Sequence, residues 1–137
     1  MTSLSEAERK ERHREASRRH RRRQARDPEK FLVYIMSLAQ RRATKHNREY
    51  TLTPEFILGR AKELDFKCEK TGIPFVFDET KKHPFSVSID RIDSSGGYTP
   101  DNCQLVCFMY NQCKNEWHDD HVHDFCLAYS ASCEASC

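Results

Sequence analysis

Between Phe85 and Asp90 apolar and polar positions alternate, Phe85, Val87 and Ile89 against Ser86, Ser88 and Asp90. A period of two predicts a half-buried strand. The run Asp93–Asn102 holds Gly96, Gly97, Pro100 and two serines, which predicts a loop. Gln104–Cys107 reads as a second short strand. From Phe108 the pattern turns helical, with Asn111 and Lys114 three residues apart on one face. Strand, loop, strand and helix form a small frame. In it Asp90, at the end of the first strand, and Asn111, on the helix, can turn oxygen atoms toward one ion.

The flanking pattern is helical. Residues 3–26 predict one exposed helix, with Ser5 and Glu8 as a capping box and Glu8–Arg12 and Glu15–Arg19 as i, i+4 pairs. It has almost no apolar face, so it docks weakly on the rest of the chain, as an exposed helix or a segment disordered on its own. Asp27 caps a second helix, with Pro28 at its first position. Phe31, Ile35 and Leu38 predict its core stripe, and Arg41 and Arg42 close its last turn. Tyr50–Leu52 reads as extended, and Thr53-Pro54-Glu55 starts a third helix that buries Ile57, Ala61 and Leu64. Cys68–Phe75 is a tight turn, and residues 78–84 predict a hairpin connection. Asp119 or Asp120 caps a last helix, whose stripe Val122, Phe125, Cys126, Tyr129 and Cys133 predicts a packing face. The fold class expected is α+β, with helices flanking the small frame.

Only 37% of the 137 residues are hydrophobic and 32% are charged, so the core is small and one domain with extensions is expected. Charge is uneven: residues 1–27 carry ten Lys/Arg against five Asp/Glu, and residues 28–137 carry thirteen against sixteen. This divides the chain into a basic arm, 1–27, and a domain, 28–137, with its motif core at 85–117. Around His20, Arg18, Arg19, Arg21, Arg22 and Arg23 fit a phosphate-binding arm. A solvated charged helix or a nuclear-targeting signal would share that composition. Seven cysteines and no apolar run of signal-peptide or membrane length predict an intracellular protein with reduced thiols.

Three pieces in order, Ser88-Ile-Asp-Arg-Ile-Asp93, Gly97-Tyr-Thr-Pro-Asp-Asn102 and Leu105-Val-Cys-x-x-x-Asn111-x-x-Lys114, resemble the HNH family of nucleases. Cys68-x-x-Thr71-Gly-Ile-Pro-Phe75 and Asn115-Glu-Trp117 are similar to small HNH endonucleases of tailed bacteriophages. The resemblance spans residues 30–130. It implies a ββα-metal frame that holds one divalent ion, usually Mg²⁺, and hydrolyses DNA phosphodiesters, double-stranded DNA being the partner and the host cytoplasm the location if the protein is viral. On this likeness Asp90 and Asn111 hold the metal, Asn102 fixes the loop by side-chain hydrogen bonds, and Lys114 meets phosphate. The alternative is a nucleic-acid-binding protein that keeps the frame and has lost cleavage.

Two departures from the family pattern matter. Many relatives carry His where this chain has Arg91, and arginine cannot accept a proton at neutral pH. Asp93, a metal-bound hydroxide with Arg91 on the phosphate, or another histidine would then serve. His118 is a candidate if the Asn111 helix runs that far, whereas His83 stands roughly 26 Å from Arg91 along a straight strand. Relatives also hold zinc with two Cys-x-x-Cys pairs, and here Thr71 and Tyr110 replace two of the four ligands, leaving Cys68 and Cys107. Structural zinc is therefore not expected, and His121 and His123 fall on different sides of a helix.

Overall fold

The computed structural model describes residues 4–25, 27–77 and 83–136. The expected hairpin connection falls mostly on residues outside that description. Three helices come first: α1 (Glu6–Ala25), α2 (Pro28–Lys45) and α3 (Pro54–Glu63). Each start has a local cause. Ser5 and Glu8 bond reciprocally, the serine N–H and hydroxyl donating to Glu8 Oε2 at 2.7 and 2.8 Å. Glu8 is therefore occupied by its cap, and on α1 Glu6 pairs with Lys10 and Glu11 with Arg14. Asp27 Oδ1 accepts from Glu29 N at 3.0 Å, and Thr53 Oγ1 accepts from Phe56 N at 3.2 Å.

Two strands follow, β1 (Val87–Arg91) and β2 (Cys103–Cys107), with a 3-10 turn at Pro100–Asn102 between them. They pair antiparallel, with Ser88 opposite Val106, Ile89 opposite Leu105 and Asp90 opposite Gln104. The chain ends in α4 (Phe108–Lys114) and α5 (Asp119–Ala135). Helices around a two-stranded antiparallel sheet give the expected α+β class.

The hairpin is covered on both faces, so β2 is buried at all five positions. Val87, Ile89, Leu105 and Cys107 join Leu32, Met36, Ala39 and Ala43 of α2 and Ile57 and Ala61 of α3 in one core. Burying Leu32, Ile57 or Leu105 contributes about 1.5–3 kcal/mol each. The opposite face, carrying Ser88, Asp90, Gln104 and Val106, meets α4. The core stripe of α2 is thus Leu32-Met36-Ala39-Ala43 together with the expected Phe31, whereas the expected Ile35 and Leu38 are half-buried. Both stripes have the same spacing, and only packing against the sheet selects between them.

The loop after β1 returns close to the rest of the chain. Tyr98 N–H donates to Glu49 O at 2.8 Å, and Thr51 N–H to Tyr98 O at 2.9 Å. A Cβ on Gly97 would stand 2.6 Å from Glu49 O, and one on Gly96 would stand 2.7 Å from Asn102 Nδ2. Glycine is required at both points by this close approach.

Candidate active site

Asn102 holds the loop together. Its Oδ1 accepts from Asp93 N at 2.9 Å, and its Nδ2 donates to Asp93 O at 3.0 Å and Gly97 O at 2.9 Å. Arg91 adds a second clasp, Nη1 donating to Ser94 O at 2.6 Å and Gly96 O at 2.9 Å. Its guanidinium lies 5.3 Å from the centre of the Tyr98 ring, within cation–π range. Asp93 Oδ1 accepts from the Ser95 hydroxyl and N–H at 2.7 and 2.9 Å. Those bonds hold its carboxyl below the usual range, which makes it a weaker base.

Where α4 crosses the hairpin, its Asn111–Lys114 pair meets the Ser88–Asp90 pair of β1. Asn111 Nδ2 donates to Ser88 Oγ at 2.7 Å, which leaves the amide oxygen for another partner. Lys114 Nζ stands 3.3 Å from Asp90 Oδ2 and donates to Arg91 O at 2.9 Å. Lys114 is 0% and Asp90 4% exposed. Gln104 Nε2 donates to Asp90 Oδ2 at 2.8 Å and to Asp119 Oδ1 at 3.1 Å, joining β1 to the first turn of α5. Asp119 also accepts from the Tyr110 hydroxyl and pairs with Lys70 at 3.2 Å.

Burial pushes the Asp90 carboxyl above its ordinary range, against the pull of Gln104 and Lys114. For Asp119 burial acts the same way, but bonds from Tyr110, Gln104 and Lys70 outweigh it and lower the carboxyl.

Beside this network lies an open cleft of about 330 Å³, lined by Ser88, Asp90, Arg91 and Asn111, with Arg42, Gln112 and Asn115 among its other walls. Arg42 Nε also donates to the Tyr98 hydroxyl at 3.3 Å. The oxygen atoms of Asp90, Asn111 and Ser88 are hard donors of the type magnesium takes, in a site with one carboxylate that would leave places for waters and substrate phosphate. Lys114 beside Asp90 is a competing cation. Among the described residues no group of three or more His, Cys, Asp or Glu is placed to hold a metal.

Several expected roles change. Lys114 does not face phosphate: it is wholly buried, with its ammonium bonded inside the frame. Asp90, expected to turn toward an ion, is nearly as buried, because α4 crosses that face of the hairpin and Gln104 links it to Asp119 of α5. Arg91 has one of its nitrogens committed to loop carbonyls while it borders the cleft. The Asn111 helix stops at Lys114, and Asn115 turns the chain with φ 49°, so His118 is an exposed cap of α5 and not on the Asn111 face. Neither Asp93 nor His118 lines the cleft, and no described histidine does. On α1, Arg18, Arg19 and Arg22 line a shallow groove with Glu15, and the side chains of Arg21 and Arg23 lie outside the described residues.

The sequence reading missed Gln104, Asp119 and Arg42. Gln104 sits in an otherwise apolar strand, Cys103 to Cys107, which is the available signal of a buried polar partner.

At the four positions weighed above for zinc, Cys68, Thr71, Cys107 and Tyr110, the Cys107 N–H donates to Cys68 Sγ at 3.3 Å. Burial raises the Cys68 thiol, but bonds from the Thr71 hydroxyl and from backbone N–H groups prevail and lower it. Burial pushes the Cys107 thiol up to about 12. Tyr110 turns its hydroxyl to Asp119 instead. Hydrogen bonds tie these four positions into the frame.

No family model matches the sequence, and no curated protein does. Among solved structures the fold is similar to that of the rare-cutting HNH restriction endonuclease PacI, described for its mechanism of DNA perturbation. The TM-score is 0.56 at 21% identity, over 73% of this chain and 77% of that one. The likeness is one of fold. Among the described residues no helix is long and apolar enough to cross a membrane.

Proposed function

We propose that the chain is an HNH-type endonuclease that hydrolyses DNA phosphodiester bonds with one divalent ion, magnesium by its donor set. The observation that carries this reading is the cleft in which Asp90, Asn111 and Ser88 meet, on a fold similar to that of an HNH restriction endonuclease. Asp90 and the Asn111 amide oxygen would hold the ion, with Ser88 fixing the amide through its hydrogen bond. The ion, when bound, polarises the scissile phosphate and stabilises charge on the leaving oxygen. Arg42 at the cleft wall and the arginines of α1 bind DNA phosphates. Arg91 acts as the clasp of the loop, with its remaining N–H groups toward phosphate.

Two observations favour a second reading, a DNA-binding protein that has lost cleavage. Asp90 is already paired with Lys114, and no described histidine lines the cleft to accept a proton. Incubation of the full chain with supercoiled plasmid separates the two. Under the first reading nicked or linear product forms with Mg²⁺ and is abolished by EDTA. Retarded migration with no product at any Mg²⁺ concentration would leave the binding-only reading standing.

A further inference from the structure

The stripe expected to pack along α5 does so at one position. Val122 is 5% exposed, whereas Phe125 is 62% and Tyr129 66% exposed. From Phe125 to Cys133 the helix carries no charged residue, and all nine positions are exposed. Such a helix is costly in water unless another surface covers it. The bare stripe continues onto α4: Cys113, Trp117, His121, Val122 and Phe125 line a groove of about 350 Å³. Met109, 61% exposed and one turn before Cys113, extends the patch.

We propose that this face is the interface between two copies of the chain, each laying its α5 against the α4–α5 groove of the other. Charge limits the occupant. From Phe125 to Cys133 the stripe has no Lys or Arg to meet a phosphate, so nucleic acid is not its partner. The uncharged stripe offers no counter-charge to a basic or acidic peptide, and α1 has no apolar face with which to cover it. A second stripe of the same neutral, apolar composition does fit.

The area also suffices. Taking roughly 200 Å² for a large side chain, Met109, Trp117, Phe125 and Tyr129 expose roughly 500 Å² per copy. Two copies would remove roughly 1,000 Å² before the smaller residues between them are counted, the size a specific interface must clear. This assignment stands apart from the nuclease reading.

Sedimentation equilibrium of the full chain in reductant, across the micromolar range, tests it. Reductant keeps exposed Cys113, Cys126 and Cys133 from cross-linking copies. The expected mass is about 32 kDa, twice the 16.2 kDa chain. Phe125→Glu, and separately Tyr129→Lys, should weaken association by at least about tenfold. Because both side chains are exposed within the single chain, the far-UV spectrum should stay at its wild-type form, and any fall in melting temperature should vary with protein concentration, as loss of association requires. A wild type that sediments as monomer throughout overturns the proposal, including the case in which a different protein covers the stripe. A dimer that both variants leave intact overturns it as well, by placing the interface elsewhere.

Discussion

In β1, β2 and α4 the polar side chains are bonded to one another: Lys114 to Asp90, Gln104 to Asp90 and Asp119, Asn111 to Ser88. In α1 and in the distal part of α5 nearly every side chain faces water, arginine-rich in one and uncharged in the other. The two regions therefore respond to substitution in opposite ways. A polar residue of the centre cannot be removed without leaving a buried partner unsatisfied, so its loss is felt first as stability. A residue of the terminal helices contributes little to folding, so its loss is felt in what the protein binds.

The largest effect falls on the buried pair. Lys114→Met leaves Asp90 buried without its cation and should cost about 3–5 kcal/mol. Asp90→Ala should likewise destabilise the fold by leaving Lys114 unpaired, so loss of cleavage in that variant would not by itself identify a metal ligand. Urea unfolding would read the loss as a lower midpoint at unchanged slope. The double variant Asp90→Asn/Lys114→Met should recover part of it. A Lys114→Met protein as stable as the wild type would remove the distinction between centre and termini.

A smaller effect sharpens the same contrast. Asp119 has its carboxyl lowered in the folded chain, so its stabilising contribution is complete above the unfolded value of about 4 and is lost as pH falls through the folded value. Asp119→Asn should cost about 1.5 kcal/mol at neutral pH. That difference from wild type should shrink as the solution is acidified below about pH 4. A pH-independent difference would mean that packing, not the charged bonds to Tyr110, Gln104 and Lys70, is what the substitution removes.

The smallest effect on the fold belongs to α1. Replacing Arg18, Arg19 and Arg22 by alanine should leave the melting temperature in place. It should reduce the slope of log affinity for DNA against log salt by up to roughly 0.9 for each phosphate that the arm no longer neutralises. An unchanged slope would show that the arm does not touch DNA.

Where the sequence was legible, a local cause was at work. The caps at Ser5, Asp27 and Thr53, the two strands and the Asn111–Lys114 spacing all depend on neighbours within a few residues. What stayed hidden depends on contacts across the chain. Nothing near Lys114 distinguishes a buried lysine from an exposed one, because its partner is 24 residues away. The α2 stripes 31-35-38 and 32-36-39-43 have equal periodicity, and the sheet buries the second while keeping Phe31 of the first. Periodicity predicts a packing face for the α5 stripe because it reports an apolar face but not whether this chain covers it. Gln104 shows its importance only when its two carboxylate partners are in place.

The most direct test of the proposed active site is the plasmid-nicking rate of Asn111→Ala beside that of the wild type, both in Mg²⁺ and both with melting temperatures recorded. Asn111 is the ligand candidate least entangled with the buried network, since among the described residues its side chain bonds to Ser88 alone. The account predicts a melting temperature close to wild type and a rate reduced by on the order of 10²-fold or more, the scale expected when a group that stabilises the transition state is removed. Cleavage by Asn111→Ala at the wild-type rate would contradict it.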